Sequence, residues 1–259
     1  MSPRRPAAGA PRQPRPPRPP GPPRRQPPPR SRTTHSMESV LTEAVGLLDE
    51  AGEPALTFRA LAARLGGGVG SIYWYVSGKD ELLERAADFV LEGVLDATEG
   101  YVDGDPVDDL RRTAIALFDA VADRPWLGAY FMRNTGSQPN SLRYYERVGQ
   151  HVLRLGLDPL ETFNAASAVV GYVIGIAADL GQQPPEEVVD GSTTRSDYLA
   201  RTVAEWRELD PDEWPFLHTI VDVFADHDDA AQFRAGLDLL LAGLSLRAGH
   251  RPPPPPRRG

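Results

Sequence analysis

Apolar residues recur along most of the chain at the three- and four-residue spacing of amphipathic helices, whereas the alternating pattern of strands is almost absent. Leu41, Ala44, Val45 and Leu48 form one such stripe, and Gly52 closes it. Comparable stripes continue to about residue 249. The spacing therefore predicts an all-α fold with nine or ten helices.

Capping residues mark the expected helix starts. Thr57 predicts the N-terminus of a short helix over 57–65. Ser77-x-x-Asp80 resembles a capping box before a long helix over about 78–99. Aspartates, three of them followed directly by proline, predict the later starts. These starts are expected at Asp105, Asp158, Asp210 and Asp229.

The two ends of the chain differ sharply in composition from its middle. Residues 1–36 contain 13 prolines, nine arginines and no acidic residue, and residues 250–259 contain five prolines and three arginines. Such segments bury too little apolar surface to offset the entropy of ordering the chain. We therefore expect disordered tails at 1–36 and 250–259, with the folded part at 37–249.

Charge divides along the same boundaries. All 36 acidic residues lie in 37–249 together with 16 of the 28 basic ones, which leaves this part with a net charge of −20. An acidic body argues against a nucleic acid wrapped around it, so any contact with one must be a local patch. The arginine-rich N-terminal segment is a candidate for that patch. A solvated tail, or a start codon assigned too far upstream, explains the same composition.

Sequence signals for catalysis or a cofactor are weak. Without cysteine the chain has no disulfide, thiolate nucleophile or cysteine zinc site. It also lacks the HExxH and Gly-x-Ser-x-Gly motifs, and "GGGVGS" has no lysine in the position that a phosphate loop requires. The run "DHDD" at 226–229 could hold a metal, but helix capping explains its aspartates more simply. We expect a protein that is not an enzyme, with no cofactor and no metal.

Membrane signals are also weak. The N-terminus has no apolar segment of the kind that secretory signals contain. The longest apolar run, 163–178, is interrupted by Asn164 and Ser167 and is short for a transmembrane helix. A soluble cytoplasmic protein without a membrane partner is the expectation.

Residues 38–76 have the pattern of a helix-turn-helix. A supporting helix over 38–51 precedes the helix at 57–65, a glycine turn at 66–68 and a short helix over about 69–75. Gly66 suits the left-handed conformation that ends a helix. The apolar positions predict a small shared core, which leaves Ser71, Trp74 and Tyr75 on the outer face. Exposed aromatic residues are unfavourable in water but can pack against sugars and bases in a DNA major groove.

Over about residues 38–85 the sequence resembles the DNA-binding domain of the tetracycline-repressor (TetR) family of bacterial regulators. The matching features are Leu65-Gly66, Ser71-Ile72-Tyr73, Trp74-Tyr75-Val76 and Lys79-x-x-Leu82-Leu83. The resemblance implies an N-terminal DNA-binding domain at 37–83 and a larger helical domain for ligand binding and dimerisation at 84–249.

The resemblance also implies seven residues in contact with DNA. Phosphate contacts fall to Thr57, Arg59, Tyr73 and Lys79, and groove contacts to Ser71, Trp74 and Tyr75. For two of them a structural role is the alternative: Tyr73 would then belong to the core, and Lys79 would be a solvated charge.

Two glycines depart from the family pattern. Gly67 occupies a position that is usually apolar, and Gly68 a position usually held by a capping serine or threonine. Glycine there costs up to ~1 kcal/mol of local order. Because the second helix contains no lysine or arginine, attraction to phosphates must come from Arg59, Arg64, Lys79 and helix N-termini.

Residues 100–249 resemble the C-terminal half of the family more weakly. Small residues on one face of 160–180, together with leucines of the last helix, predict a dimer seam of two helices per subunit, although packing within one chain is the alternative. The seam candidates are Ala168, Gly171, Gly175, Leu237 and Leu241. An effector cavity is expected in this half, with Trp126, Tyr130, Phe131, His151, Phe163, Asn164 and Tyr172 as candidate walls.

The function that the resemblance implies is a dimeric transcriptional repressor that a small lipophilic molecule releases from a palindromic double-stranded DNA operator. The alternative is a helical protein that binds or sequesters a small molecule and whose helix-turn-helix has lost DNA binding. Gly67, Gly68 and a net charge of −4 over 37–82 favour that alternative slightly.

Overall fold

A computed structural model describes residues 35–133, 138–180, 185–226 and 228–249 of the 259-residue chain. Of the expected tails only His35 and Ser36 fall within these ranges, and His227 of the "DHDD" run lies outside them. The described residues form helices and no strand, which confirms the all-α prediction. The elements are α1 Met37–Ala55, α2 Phe58–Arg64, α3 Val69–Ile72, α4 Lys79–Ala97, α5 Pro106–Ala122, α6 Pro125–Arg133, α7 Pro139–Leu153, α8 Pro159–Leu180, α9 Glu186–Val189, α10 Arg195–Arg207, α11 Pro215–Ala225 and α12 Asp229–Gly249.

Three of the predicted caps begin helices as expected. The side chain of Thr57 accepts a hydrogen bond from the backbone N–H of Ala60 at 3.1 Å. The carboxylate of Asp105 accepts from the backbone N–H groups of the first turn of α5. Asp158 does the same at the start of α8. Each side chain satisfies a backbone donor that has no partner within the helix.

Other predicted starts were wrong in detail. The residues after Asp210 form only a turn, and α11 begins at Pro215. The last helix is capped by Asp228 rather than by Asp229, because the Asp228 carboxylate accepts from the backbone N–H of Ala231. The described part of the chain holds twelve helices rather than nine or ten, and two of them, α3 and α9, are single turns.

The C-terminal half is built around α8. This helix lies against α5, α6 and α7, and α12 packs beside α5 and α8. Gly128 allows α6 to approach α8 closely, since a Cβ at this position would lie 3.0 Å from the Cα of Ala178. Phe118 and Phe233 stack with ring centroids 3.7 Å apart and join α5 to α12. The core of this half is therefore formed by helices that are distant in sequence.

Helix α4 joins the first three helices to this body, because it packs against α1 on one side and against α5 and α7 on the other. A second joint lies at α6, where Trp126 donates from Nε1 to Asp49 Oδ1 of α1 at 2.7 Å. Both α4 and α6 therefore connect the first three helices to the body.

One helix among the described residues, Pro159–Asp179 in α8, is long and apolar enough to cross a bilayer by length and composition alone. A helix that packs inside a protein or against a second subunit meets the same test. The exposed residues of α8 include Asn164, Ala168, Gly171 and Gly175, which form a face of small and polar side chains.

Candidate nucleic-acid interface

The three N-terminal helices pack around the core that the apolar pattern predicted. Leu48 of α1, Leu61 of α2 and Ile72 of α3 are fully or almost fully buried. Leu56 and Val76, which flank α2 and α3, are buried with them. Gly66 follows the end of α2 with a φ angle of +66°, in the left-handed region, and Gly52 forms a kink inside α1 with a φ angle of +67°. We call α1, α2, α3 and the following turn to Val76 the head.

The head exposes two aromatic side chains next to each other. Trp74 is 88% exposed, and Tyr73 is 61% exposed with its ring edge-on to Phe58 at 4.8 Å. Both follow α3 directly, and the neighbouring Ile72 and Val76 are buried. The alternative that Tyr73 is a core residue is therefore wrong. An indole and a phenol held in water beside a buried anchor are available for contact with another molecule.

Tyr75 differs from the expectation of an outward side chain. It is half-buried against the head core, and its hydroxyl donates a hydrogen bond to the backbone carbonyl of His35. Ser71 is also partly engaged, because its hydroxyl donates to the carbonyl of Gly68 at 2.6 Å. The expectation for Tyr75 failed because α3 ends at Ile72 and the chain then turns, so helical spacing no longer sets the side-chain direction.

Fewer cations of the head are available to bind phosphate than the sequence suggested. Arg64 is paired with Glu50 and lies 3.8 Å from Glu43, so it is neutralised within the head. Lys79 donates from Nζ to the carbonyl of Glu53 at 2.8 Å, at the end of α1. Arg59 is exposed and makes no hydrogen bond or ion pair with any described residue. Of the three expected phosphate-binding cations, two therefore stabilise the head itself.

The start of α4 is fixed by a carboxylate rather than by the predicted Ser77-x-x-Asp80 box. Glu81 accepts hydrogen bonds from both the hydroxyl and the backbone N–H of Ser77, at 2.6 and 2.7 Å. These bonds, followed by a hydrogen bond from Arg85, lower the pKa of Glu81 to about 2. The N-cap position itself is Gly78, so Asp80 takes no part in the cap.

Comparison with known families matches both halves of the chain. Residues 40–86 match the family described as bacterial regulatory proteins, tetR family. Residues 102–247 match the tetracyclin repressor-like C-terminal domain. The chain belongs to the TetR family of transcriptional regulators. Members of this family bind DNA, dimerise and bind small-molecule effectors.

Individual relatives agree with this membership. The chain is 28% identical over 234 residues to the transcriptional repressor DrrR1 of Streptomyces coeruleorubidus, covering 88% of this chain and 83% of the relative. A solved structure of the TetR regulator SCO7222 from Streptomyces coelicolor matches with a TM-score of 0.70 and 35% identity, over 82% of this chain and 98% of that one. ActR of the same organism, solved with actinorhodin, shares the fold at 22% identity and a TM-score of 0.67, over 83% and 99% of the two chains.

In this TetR-family chain the seven expected effector-site residues do not surround one cavity. Trp126 is held by Asp49, and Tyr172 donates to the Phe233 carbonyl, so both join helices of the body. Tyr130 is buried with its ring edge-on to Phe131. Phe163 and Asn164 border two different surface cavities of about 310 Å³ each.

His151 lies beside a larger cavity of about 580 Å³ between the second half of α4 and α7. Burial lowers the pKa of His151, and nearby arginines lower it further against the opposing charge of Asp109. Both effects favour the neutral imidazole, and its Nε2 lies 3.1 Å from the Thr113 hydroxyl. The lining of this cavity is mostly charged or polar, with Glu92, Asp96, Arg143, Arg147 and Arg154 among its residues, and only Leu95 and Val102 are apolar.

A cavity of about 1020 Å³ lies between the start of α1, the second half of α4, and α5. Its apolar wall includes Leu41, Phe89, Val94 and Ala120. None of these residues was expected at a binding site, because each follows the ordinary helical core pattern. Only the packing of α4 between the head and the body creates the space.

The expected dimer seam divides into two sets. Ala168, Gly171 and Gly175 are exposed on α8, and a Cβ added at either glycine would meet nothing within 4 Å. Leu237 and Leu241 are buried within the subunit, so for these two the alternative of packing within one chain is correct. The outer face of α12 instead carries Leu239, Leu240 and Gly243.

Proposed function

We propose that this TetR-family regulator is a cytoplasmic homodimeric repressor. Two heads bind the half-sites of a palindromic operator, and a small lipophilic molecule bound in the C-terminal half releases them. Such a dimer places two recognition segments about 34 Å apart, one turn of DNA. DrrR1 is a transcriptional repressor, and this similarity supports repression rather than activation by the present chain.

The observation that carries the proposal is the exposure of Trp74 at 88% next to the buried Ile72. Exposure of this side chain to water is unfavourable. Packing against the sugars and base edges of a groove would bury most of its surface and so stabilise the complex. Tyr73 and Arg59 are exposed near it and provide a hydroxyl and a cation for phosphates. Thr57 has its oxygen engaged as the cap of α2, so its contribution is to orient that helix toward the backbone.

Release follows from the position of α4 between the head and the effector region. The 580 Å³ cavity is within the usual size of small-molecule sites and is bordered by Leu95 and Asp96 of α4. A ligand that pushes α4 away from α7 also moves the head, because α4 packs against α1. A differential affinity of ~1–3 kcal/mol between the two states gives five- to hundred-fold release. ActR, which shares the fold, has been solved with actinorhodin, and this supports a small-molecule effector for the present chain.

The dimer is proposed to form through the outer faces of α8 and α12. Small side chains at Ala168, Gly171 and Gly175 permit close approach of a second helix. Exposed leucines of α12, Leu239 and Leu240, supply apolar surface beside them. This arrangement removes from water the exposed face of α8 that carries these small side chains.

A second candidate function is sequestration of a small molecule by a protein whose head no longer binds DNA. Three features of the head favour it. The helix α3 has only four residues, its cap residue Gly68 offers no side chain, and Arg64 and Lys79 are engaged within the protein. This alternative predicts ligand binding without any operator.

Footprinting on the promoter beside this protein's own coding region tests the two functions. The repressor predicts a protected, two-fold symmetric site at low salt, and sequestration predicts none. Trp74→Ala is expected to raise the operator Kd at least about tenfold, in the range of interfacial tryptophans. The matched control is Trp214→Ala, an exposed tryptophan at the start of α11 in the body. Equal operator binding by both variants contradicts the proposed role of Trp74.

A further inference from the structure

The cavity of about 1020 Å³ between the head and the body is a second space of ligand size. It is bounded by the start of α1, by the second half of α4, and by α5. On α4 its wall repeats at helical spacing, through Phe89, Val90, Gly93, Val94 and Ala97. Sites for drug-sized molecules occupy about 300–1,000 Å³ and are lined mostly by apolar side chains. The volume and this wall of the cavity are therefore suited to a small molecule.

Apolar side chains around the cavity stay partly exposed in the folded chain. Met37 of α1, Phe89 of α4 and Ala116 of α5 pack against the core but keep part of their surface outside it. Removal of such surface from water is favourable roughly in proportion to its area. A ligand with an apolar body is therefore stabilised here, and Phe89 also offers an aromatic ring to a cation.

Gly93 leaves the α4 wall of the cavity without a side chain. Glycine weakens the interior of a helix relative to alanine. No close contact requires glycine at this position, because a Cβ on Gly93 would meet nothing within 4 Å. The space in front of Gly93 is part of the cavity. The α4 backbone is therefore open to close approach by a bound molecule.

Four carboxylates border the cavity without a cation to balance them. They are Glu38 of α1, Glu92 and Asp96 of α4, and Asp119 of α5. All four are exposed, and none makes an ion pair or a side-chain hydrogen bond with another described residue. Arg124, the one cation among the described lining residues, has its Nε 3.4 Å from Asp49 Oδ2 and is neutralised there. The cavity therefore combines an apolar wall with a negative rim.

We propose that this cavity binds a lipophilic cation, an aromatic or aliphatic molecule that carries an amine or another fixed positive charge. The apolar wall binds the body of the ligand, and the carboxylates attract its charge. Because Glu92 and Asp96 are like charges one turn apart on α4, a cation beside them also relieves their repulsion. An anion of the same shape meets repulsion instead. Binding at this site does not require the head to bind DNA.

Carboxylates on different elements distinguish this site from the neighbouring cavity of about 580 Å³. The two α4 carboxylates border both cavities. Glu38 and Asp119 border the larger cavity and not the smaller one, whereas Glu99 and Glu146 border the smaller cavity and not the larger one. Two variants that each remove two negative charges can therefore tell which cavity holds the cation.

The experiment measures binding of tetraphenylphosphonium to the full chain by isothermal titration calorimetry, without DNA. Tetraphenylborate, in sodium buffer, is the matched probe because it has the same four phenyl groups and the opposite charge. The charge variants are Glu38→Gln with Asp119→Asn and, as the control, Glu99→Gln with Glu146→Gln. The steric variant is Gly93→Leu, and its control is Gly149→Leu in α7, where a Cβ also meets nothing within 4 Å. Circular dichroism and thermal unfolding verify that the variants are folded.

We expect one tetraphenylphosphonium ion per chain, bound at least about tenfold more tightly than tetraphenylborate. The variant of Glu38 and Asp119 should raise the Kd of the cation at least about threefold, and the control pair less than about twofold. Gly93→Leu, whose side chain fills the cavity, should raise this Kd at least about tenfold, and Gly149→Leu should leave it unchanged.

Equal affinity for the two ions, or no binding of the cation at millimolar concentration, overturns this inference. A variant of Glu38 and Asp119, or of Gly93, that binds the cation as the unchanged chain does also overturns it, because the ion then lies elsewhere. Control variants that weaken binding as much as their partners have the same consequence. Each of these results leaves the operator footprint, and with it the proposed function, unaffected.

Discussion

At the scale of single residues, neighbouring side chains in the head have opposite roles because the chain turns between them. Trp74 is exposed, whereas Tyr75 is half-buried and holds His35 through its hydroxyl. Glu81 shows how one carboxylate can fix an element, since it accepts from Ser77 and from Arg85 and so defines the start of α4. The hydrogen bonds favour the charged form of Glu81, which is why its pKa falls from 4.5 to about 2.

Glu81→Gln is expected to lower the free energy of unfolding at pH 7. Because the folded-state pKa lies below the unfolded value, the contribution of Glu81 is complete above about pH 4.5 and is lost as the pH falls toward 2. The difference between the two proteins should therefore narrow over that window. Urea unfolding at pH 7, 5, 4 and 3 measures it, with Glu92→Gln, an exposed position on the same helix, as the control. A constant difference across this range would contradict the assigned cap.

At the scale of elements, the body depends on ionic contacts that join helices. Asp109 of α5 has no exposed surface and pairs with Arg112 one turn away and with Arg154 at the end of α7. Arg154 also donates to the carbonyl of Gly104, in the loop before α5. The hydrogen bond from Arg154, and then that from Arg112, lower the pKa of Asp109 against the cost of burial. This carboxylate therefore fixes α5, α7 and the loop together.

Asp109→Ala is expected to reduce the free energy of unfolding by about 3 kcal/mol, because it leaves two arginines without their buried partner. Asp108→Ala is the matched control. Asp108 is exposed, and its carboxylate forms a weak ion pair with Arg111 at a distance of 3.9 Å. Urea unfolding at pH 7 compares the two variants with the unchanged chain. Equal losses for the two aspartates would show that the Asp109 contacts are not structural.

At the scale of the whole molecule, the exposed face of α8 is the surface on which we propose that a second subunit packs. The helix buries Val169, Val173 and Ala177 in its own body, whereas Ala168, Gly171 and Gly175 face outward. A dimer across this face would bring two heads to one duplex, and a single head would bind only half a site. Operator affinity and subunit assembly are therefore coupled in the proposed mechanism.

Ala168→Glu is expected to weaken the dimer at least about tenfold, because a two-fold axis brings the new carboxylates of both subunits near each other. Ala200→Glu places the same charge on an exposed position of α10 and should leave the dimer unchanged. Sedimentation velocity across a concentration series gives the dissociation constant of the dimer for each variant. A dimer of unchanged strength in Ala168→Glu would remove α8 from the interface.

The sequence by itself determined the features that depend on near neighbours in the chain. The helical spacing, the caps at Thr57, Asp105 and Asp158, and the left-handed Gly66 each arise from interactions within one or two turns, so local pattern predicts them. Local pattern was also enough to indicate the head and the family. Local pattern misplaced the cap of the last helix by one residue. Asp228 and Asp229 are adjacent aspartates, and either one is suited to an N-cap.

Only the tertiary structure decided which partner each side chain meets. Arg64 is an exposed cation in the sequence pattern, but α1 places Glu50 beside it. The leucines of α12 repeat on several sides of the helix, so the pattern could not tell that Leu237 and Leu241 face the subunit's own core. The contact of His35 with Tyr75 spans forty residues and has no local signal. Such contacts depend on how helices pack against one another, which periodicity within a single helix does not encode.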